Sequence, residues 1–406
     1  MSTADARAGF RAAWAELDPI GRRAQGGYER FAWTATDHTL REWFAGEAAA
    51  LGLDLTTDRV GNQWAWWGDP YAAGPGRAVA TGSHLDSVPS GGAFDGPLGV
   101  VSSLLAVKAL KEAGHEPDRP LAVVNFVDEE GARFGIACAG SRVLTGALAP
   151  ERALALSDAD GTTMAEALTA AGAHPEDLGP DPELVSLLGT FVELHVEQGR
   201  ALDDLHAPVG VGSHIWPHGR WRIDVPGEAN HAGTTALDDR SDAMLGFAAA
   251  VIAARRAAQV RGCVATVGKV RATPNGVNAI PSEVTGWLDA RGESEAAVHG
   301  VVADVTQVMA DFDAMVTEES WTPTTAFDDA LVGRLANRLG GIPILGTGAG
   351  HDAGILANAG VPTAMLFVRN PTGISHSPEE FAEEADCVAG IAALTTVLHD
   401  VTGGAA

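Results

Sequence analysis

The sequence predicts an α/β fold with a mostly parallel sheet, interrupted by a smaller α+β domain. Three observations lead there. Strand and helix signals alternate from the N-terminus to about Arg200; Leu121–Val127 (LAVVNFV) is apolar without alternation, as in a strand covered on both faces; and the rhythm changes near Ile215 and returns after residue 341.

Along the chain, a helical stretch covers Leu40–Leu51 and stops at Gly52, Ala78–Gly82 is a short apolar strand, and Leu98–Ala113 has helical apolar spacing that stops at Gly114. In FVELHVEQGR, alternation separates Val192, Leu194 and Val196 from Glu193, His195 and Glu197, and the polar face is either solvent-exposed or part of a site. Beyond Ile215, Arg220–Val225 alternates like a strand, Asp239–Val260 is an alanine-rich helix, and Val264–Val270 and Val284–Asp289 are strands. Val298, Val301, Val302, Val305 and Val308 then recur at helical spacing, completing the order of a split βαβ layer. Residues 214–325 are therefore expected as an inserted domain, and 1–213 with 326–406 as a discontinuous one. In the latter, Ile342–Leu345 and Thr363–Val368 regain buried-strand character, and a helix over Phe381–Val401 closes the chain.

Composition narrows the partners. With 53 acidic against 27 basic residues the net charge is −26, which argues against nucleic acid or an anionic membrane surface as partner. Cys138, Cys263 and Cys387 have no CxxC spacing, so free thiols in a reducing compartment are expected. The N-terminus lacks the apolar segment of a signal peptide, and nowhere do eighteen apolar residues run uninterrupted. The expectation is a soluble cytoplasmic protein.

The chemistry-bearing residues follow the strands. Ser83, His84 and Asp86 come directly after VATG, and Asp128, Glu129 and Glu130 after VVNFV, where sites of open α/β sheets collect. Asp86 could accept a ring N–H of His84 and fix its tautomer. Pro89, Gly91, Gly92 and Gly96 let the loop turn sharply enough to return Asp95 towards His84. Of the adjacent acids, Glu130 could bind metal while Glu129 acts as general base, since metal coordination can bring the pKa of water from 15.7 to about 7. His376, in GISHSPEEF, fits a ligand and equally a helix start. His84, Asp95, Glu130, His195 and His376 together have the composition of a bimetallic site, and their mixed nitrogen and oxygen donors do not choose between Zn, Mn, Co and Ni. His351 and Asp352, in glycine-rich GAGHDAG, are expected to support the site without being ligands.

The segments TGSHLDSVPSGGAFDGPLGV, VDEEGARFG, ELHVEQG, EANHAGTT, PNGVNAIP, LDARG, GAGHDAG and GISHSP, in this order, closely resemble the amidohydrolases of the peptidase M20 clan that remove carbamoyl groups: N-carbamoyl-L-amino acid hydrolases, β-ureidopropionases and allantoate amidohydrolases. The likeness spans nearly the whole chain. It implies two divalent ions per subunit, one on His84 and His195, the other on Glu130 and His376, with Asp95 bridging, Glu129 as base and Asp86 in support.

The same resemblance makes the inserted domain a lid and dimerisation unit. His231 would stabilise the oxyanion in the partner subunit's site of a homodimer, Asn278 and Arg291 would hold the substrate carboxylate, and Gln198 would contact the ureido group. Without the resemblance, Asn278 also fits a turn cap and Arg291 a strand end. The chain departs from the pattern at Trp216, Pro217 and His218 in IWPHGRW, which would reshape the pocket, and at Ala236 and Leu237, where proline and methionine are usual.

The implied reaction is hydrolysis of the carbamoyl C–N bond of a small ureido acid, an N-carbamoyl-L-amino acid or allantoate. An M20-type aminopeptidase or N-acyl amino acid deacylase is the alternative enzyme. A noncatalytic binding protein on the same fold is the alternative from another class, and it would be expected to lack Glu129 or a ligand, none of which is missing.

Overall fold

In the computed structural model, which describes residues 2–403, the sheet of the first unit carries four neighbouring strands in parallel. Leu121–Phe126 pairs with Ala78–His84, that strand with Leu188–Val196, and the latter with Thr363–Val368. Gln63–Trp67 with Asp54–Thr57 on one side, and Val209–Ile215 on the other, extend the sheet antiparallel. Contacts divide the chain into this unit, made of residues up to Ser213 and from Ala326, and a second unit, His214–Thr325.

Every residue of Ala78–His84, Leu121–Phe126 and Thr363–Val368 is buried, so the continuous apolar runs are strands shielded on both faces. Leu188–Val196 is likewise central, and the face carrying Glu193 and His195 is buried, not a solvent-facing edge. Helix Pro97–Glu112 enters immediately after the Asp95 loop and packs its first turn on this sheet. The approach there is close: a Cβ on Gly99 would lie 2.2 Å from the Leu194 carbonyl oxygen and 2.7 Å from Ser83 Cβ.

Several boundaries differ from the sequence reading. Helix Thr3–Leu17, opened by a Ser2/Asp5 capping box, was not anticipated, and the second helix starts at Ala35 because Thr34 caps it. The last helix begins at Glu384 rather than Phe381.

In the second unit, strands His218–Pro226, Val264–Thr273, Glu283–Arg291 and Met315–Thr322 form an antiparallel sheet. Helices Ala243–Arg261 and Glu295–Met309 pack on it. Trp221, Ile223, Val225, Val284 and Leu288 from the strands meet Ala250, Ala254, Val298, Val301 and Val305 from the helices in one core. The first helix begins at Ala243, capped by Asp242, after a separate 3-10 turn at Leu237–Asp239. Strand Met315–Thr322 was not expected.

Two helices, Ala243–Arg261 and Glu384–Thr402, are long and apolar enough to cross a membrane by length and composition, and each buries part of its surface in its own unit.

The close packing at Gly99 generates a stability prediction. Gly99→Ala drives a methyl group into the Leu194 carbonyl and is expected to cost ~1–3 kcal/mol, read as a lower urea midpoint at unchanged slope. An unchanged midpoint would show that the helix shifts without penalty.

Candidate active site

All the candidate ligands of the first unit come from the carboxyl ends of its parallel strands or the loops that follow. His84 ends its strand, His195 is the penultimate residue of Leu188–Val196, Glu130 follows Leu121–Phe126, and His376 lies beyond Thr363–Val368. Asp95 returns to them on a loop whose exit needs glycine: Gly96 has φ +84°, and a Cβ there would fall 2.5 Å from the His84 ring.

Asp95 joins the cluster through both of its oxygens. Oδ1 lies 3.1 Å from His195 Nε2 and 3.6 Å from His84 Nε2, while Oδ2 lies 3.4 Å from His376 Nε2. His376 Nε2 is in turn 3.4 Å from Glu130 Oε2. The structure therefore brings all five predicted ligands together in two groups that share Asp95: His84, Asp95 and His195, and Asp95, Glu130 and His376. His84 and His195 are 1% exposed, whereas the His376 side chain is 51% exposed and its backbone adopts φ +55°.

The tautomers follow from the outer ring nitrogens. His195 Nδ1–H donates to the Val196 carbonyl at 2.8 Å, and His84 Nδ1–H to the Asp86 carbonyl at 3.1 Å. Each ring then turns an Nε2 lone pair inwards, and both Nε2 atoms are buried without a hydrogen-bond partner. Lone pairs aimed at carboxylate oxygens repel unless a cation stands between them. The residues present thus fit a divalent ion.

Titration behaviour supports the same fit. Although burial pushes the other way, His195 and His84, themselves raised by the carboxylates around them, hold the Asp95 carboxyl well below its usual range when they carry protons in place of an ion. Burial, and then the charge of Asp95, pushes Glu130 up to about 8. Glu129 is raised well above the ordinary range by burial, opposed by His84 and reinforced by Asp352 and Glu130. Cations bound among these groups would take over the neutralising role of the protons.

Supporting contacts differ in part from expectation. The Asp86 carboxylate is 3.4 Å from His84 Nδ1, but its hydrogen bonds go to the backbone N–H groups of Glu129 (3.1 Å) and Glu130 (3.0 Å), so it orients the acidic pair. Glu129 Oε2 lies 3.7 Å from His84 Nε2, and its Oε1 accepts the Cys138 thiol at 3.3 Å. Gln198 Nε2 donates to Asp95 Oδ2 and to Ser375 Oγ, both at 3.0 Å, so it grips the shared carboxylate.

His351 and Asp352 lie behind the cluster, at the start of helix Asp352–Asn358. The His351 ring packs on His195 with centroids 4.6 Å apart, and His351 offers a nitrogen to a third possible ligand group with Glu193 and His195, closer to ligand geometry than the sequence suggested. Asp352 accepts the Ser141 hydroxyl. Sequence reasoning set Glu193 beside His195 on the polar strand face but named no partner for it; Glu193 accepts Ser83 Oγ–H at 2.8 Å and Ala353 N–H at 3.1 Å. That reasoning missed Ser375, Glu380 and the Cys138 contact.

The other predicted residues belong to the second unit. His231 is exposed on a short ladder opposite Ala279, next to Asn278, whose carbonyl accepts Ala232 N–H at 2.9 Å. His231 Nδ1 accepts the Gly233 N–H at 3.0 Å, which leaves Nε2–H of the neutral ring as a donor. Arg291 sits opposite His218 in register, and its guanidinium holds Asp289 at 2.8 and 3.1 Å. His218 Nδ1–H donates to the Trp216 carbonyl at 3.1 Å.

Known proteins resemble this chain over nearly its whole length. A sequence profile of peptidase family M20/M25/M40 matches residues 80–400. The chain is 36% identical to the N-carbamoyl-L-amino acid amidohydrolase of Geobacillus stearothermophilus, over 96% of this chain and 97% of that protein. It is 30% identical to the allantoate amidohydrolase of Escherichia coli strain K12, over 95% of each. Among solved structures, an amidase of the hydantoinase/carbamoylase family from Burkholderia multivorans matches with a TM-score of 0.84 and 32% identity, covering 97% of this chain and 98% of that one.

The shared carboxylate generates a direct prediction. Asp95→Ala is expected to lose divalent-ion binding altogether and His376→Ala only part of it, measured as metal content after gel filtration. Equal losses in the two variants would contradict the shared position of Asp95.

Proposed function

The chain belongs to peptidase family M20/M25/M40 and is an amidohydrolase; we propose that it cleaves the carbamoyl C–N bond of a small ureido acid, an N-carbamoyl-L-amino acid or allantoate, releasing ammonia and carbon dioxide. The observation that carries this reading is Asp95, whose two oxygens face separate donor groups with Glu129 alongside. His84 and His195 would hold one ion, Glu130 and His376 the other, with Asp95 common to both; zinc, manganese, cobalt and nickel all suit such donors. When bound, the ions would supply Lewis-acid polarisation of the carbamoyl oxygen and an acidified water.

The remaining chemistry falls to the protein's own side chains. Glu129, buried and held by Cys138 and by the Asp86-anchored backbone, takes a proton from the attacking water and gives it to the departing nitrogen. His231, with Nε2–H as donor, stabilises the negative oxygen of the tetrahedral intermediate in the partner subunit of a homodimer. Arg291 passes its fork from Asp289 to the substrate carboxylate, assisted by Asn278, while Trp216, Pro217 and His218 shape the surrounding pocket. Gln198, anchored on Asp95, reaches the ureido group.

The second unit offers support for dimerisation. Its end strand Val264–Thr273 leaves one edge unpaired in the sheet order, and helix Ala243–Arg261 exposes Leu245, Ile252 and Val260. The three cysteines are unpaired, which accords with a reducing, cytoplasmic setting. The strongly acidic composition favours a small-molecule substrate over nucleic acid or an anionic membrane as partner.

Ammonia release by manganese-loaded and zinc-loaded protein from allantoate, N-carbamoyl-L-amino acids, N-acetyl amino acids and dipeptides tests the reading. Turnover confined to ureido compounds is expected, and amine release from acetyl or peptide substrates alone would replace it with deacylase or peptidase activity. Glu129→Gln should keep its metal content and lose roughly 10²–10⁴ in kcat. Arg291→Lys should chiefly raise KM, by about tenfold, because lysine cannot reproduce the fork. A fully active Glu129→Gln protein would sink the proton-transfer role.

A further inference from the structure

Glu380 is 5% exposed and lies 285 residues from the loop it touches. Its Oε1 accepts the backbone N–H of Phe94 at 2.8 Å and of Asp95 at 2.9 Å. Its Oε2 is 3.4 Å from the Ser375 hydroxyl, which also reaches Asp95 Oδ2 at 3.2 Å and accepts Gln198 Nε2–H at 3.0 Å. The Asp95 loop leaves room for this carboxylate, since a Cβ on Gly92 would fall 2.3 Å from Glu380 Oε1. Glu380 N–H donates to the Ser377 carbonyl at 3.1 Å, closing the turn just after His376. One buried side chain thereby ties the loop that carries Asp95 to the turn that carries His376.

The two halves of the site depend on that tie unequally. His84 and His195 are placed by buried central strands with ladder partners on both sides. His376 has no strand beneath it; it is half-exposed, with φ +55°, in a turn whose attachments to Asp95 run through Ser375, Glu380 and Gln198. Burying a further carboxylate beside Asp95 is electrostatically costly, and short charge-assisted bonds to two backbone N–H groups are what offset it.

We infer that Glu380 is a positioning residue that sets the distance between the Asp95 loop and His376, so that it governs the ion held by Glu130 and His376 more strongly than the ion held by His84 and His195. The inference rests on the two-ion reading above. It assigns Glu380 no contact with substrate.

Calorimetric titration of chelator-stripped, full-length protein with zinc or manganese alone tests it. Wild type is expected to bind two ions. Glu380→Ala should bind the first within about threefold of wild type and the second at least tenfold more weakly. Glu380→Gln, whose amide oxygen still accepts from both N–H groups, should stay within about threefold of wild type. Should the alanine variant not fold, Glu380→Asp, too short to reach both amides, carries the same expectation. Equal weakening of both ions with a lowered melting temperature would mark a general packing role and overturn the inference, as would two unchanged affinities. A wild-type protein that binds only one ion, or none, would overturn the two-ion reading itself, a distinguishable failure.

Discussion

The constraint on which the structure turns is electrostatic. Asp95, Glu129 and Glu130 are gathered in a largely buried space where their close ion partners are imidazoles rather than lysine or arginine. Charges taken out of water need pairing, and two of the imidazoles present lone pairs that make no hydrogen bond. A divalent cation would resolve both difficulties at once. The same cluster without one depends on carboxyl groups such as Glu130 retaining protons well above their usual range.

The fold answers that constraint with backbone. Parallel strands end side by side, so residues remote in sequence emerge from one edge of the sheet. The chain passes close to itself at a few points that exclude a side chain, notably Gly96 against the His84 ring and Gly99 against the Leu194 carbonyl. Around the ligands, polar contacts fix orientation rather than add donors: Asp86 holds the backbone of Glu129 and Glu130, and Glu193 is held by Ser83 and the Ala353 N–H. Such outer contacts decide where a ligand atom points and which tautomer a histidine keeps.

Much of this was legible in the sequence for definite reasons. His84, Glu129 and Glu130 stand out because they follow apolar runs that have no reason to be exposed, and glycine and proline mark the loop that returns Asp95. The burial of His195 was not decidable locally: alternation separates two faces of a strand without saying which is covered. LDDRSD offers three aspartates able to cap a helix, and the fold uses Asp242. Strand Met315–Thr322, MVTEESWT, is mostly exposed and lacks the apolar rhythm that announces a strand. Glu380 resembles an ordinary helix-start acid, and its partners lie 285 and 286 residues away, beyond any spacing rule.

The central proposal is that Asp95 would serve two ions, one through each oxygen. Anomalous diffraction from crystals of the manganese-loaded or zinc-loaded protein tests it most directly. The account predicts two peaks, one against Oδ1 beside His84 and His195, the other against Oδ2 beside Glu130 and His376. A single peak, or peaks placed away from Asp95, would contradict it.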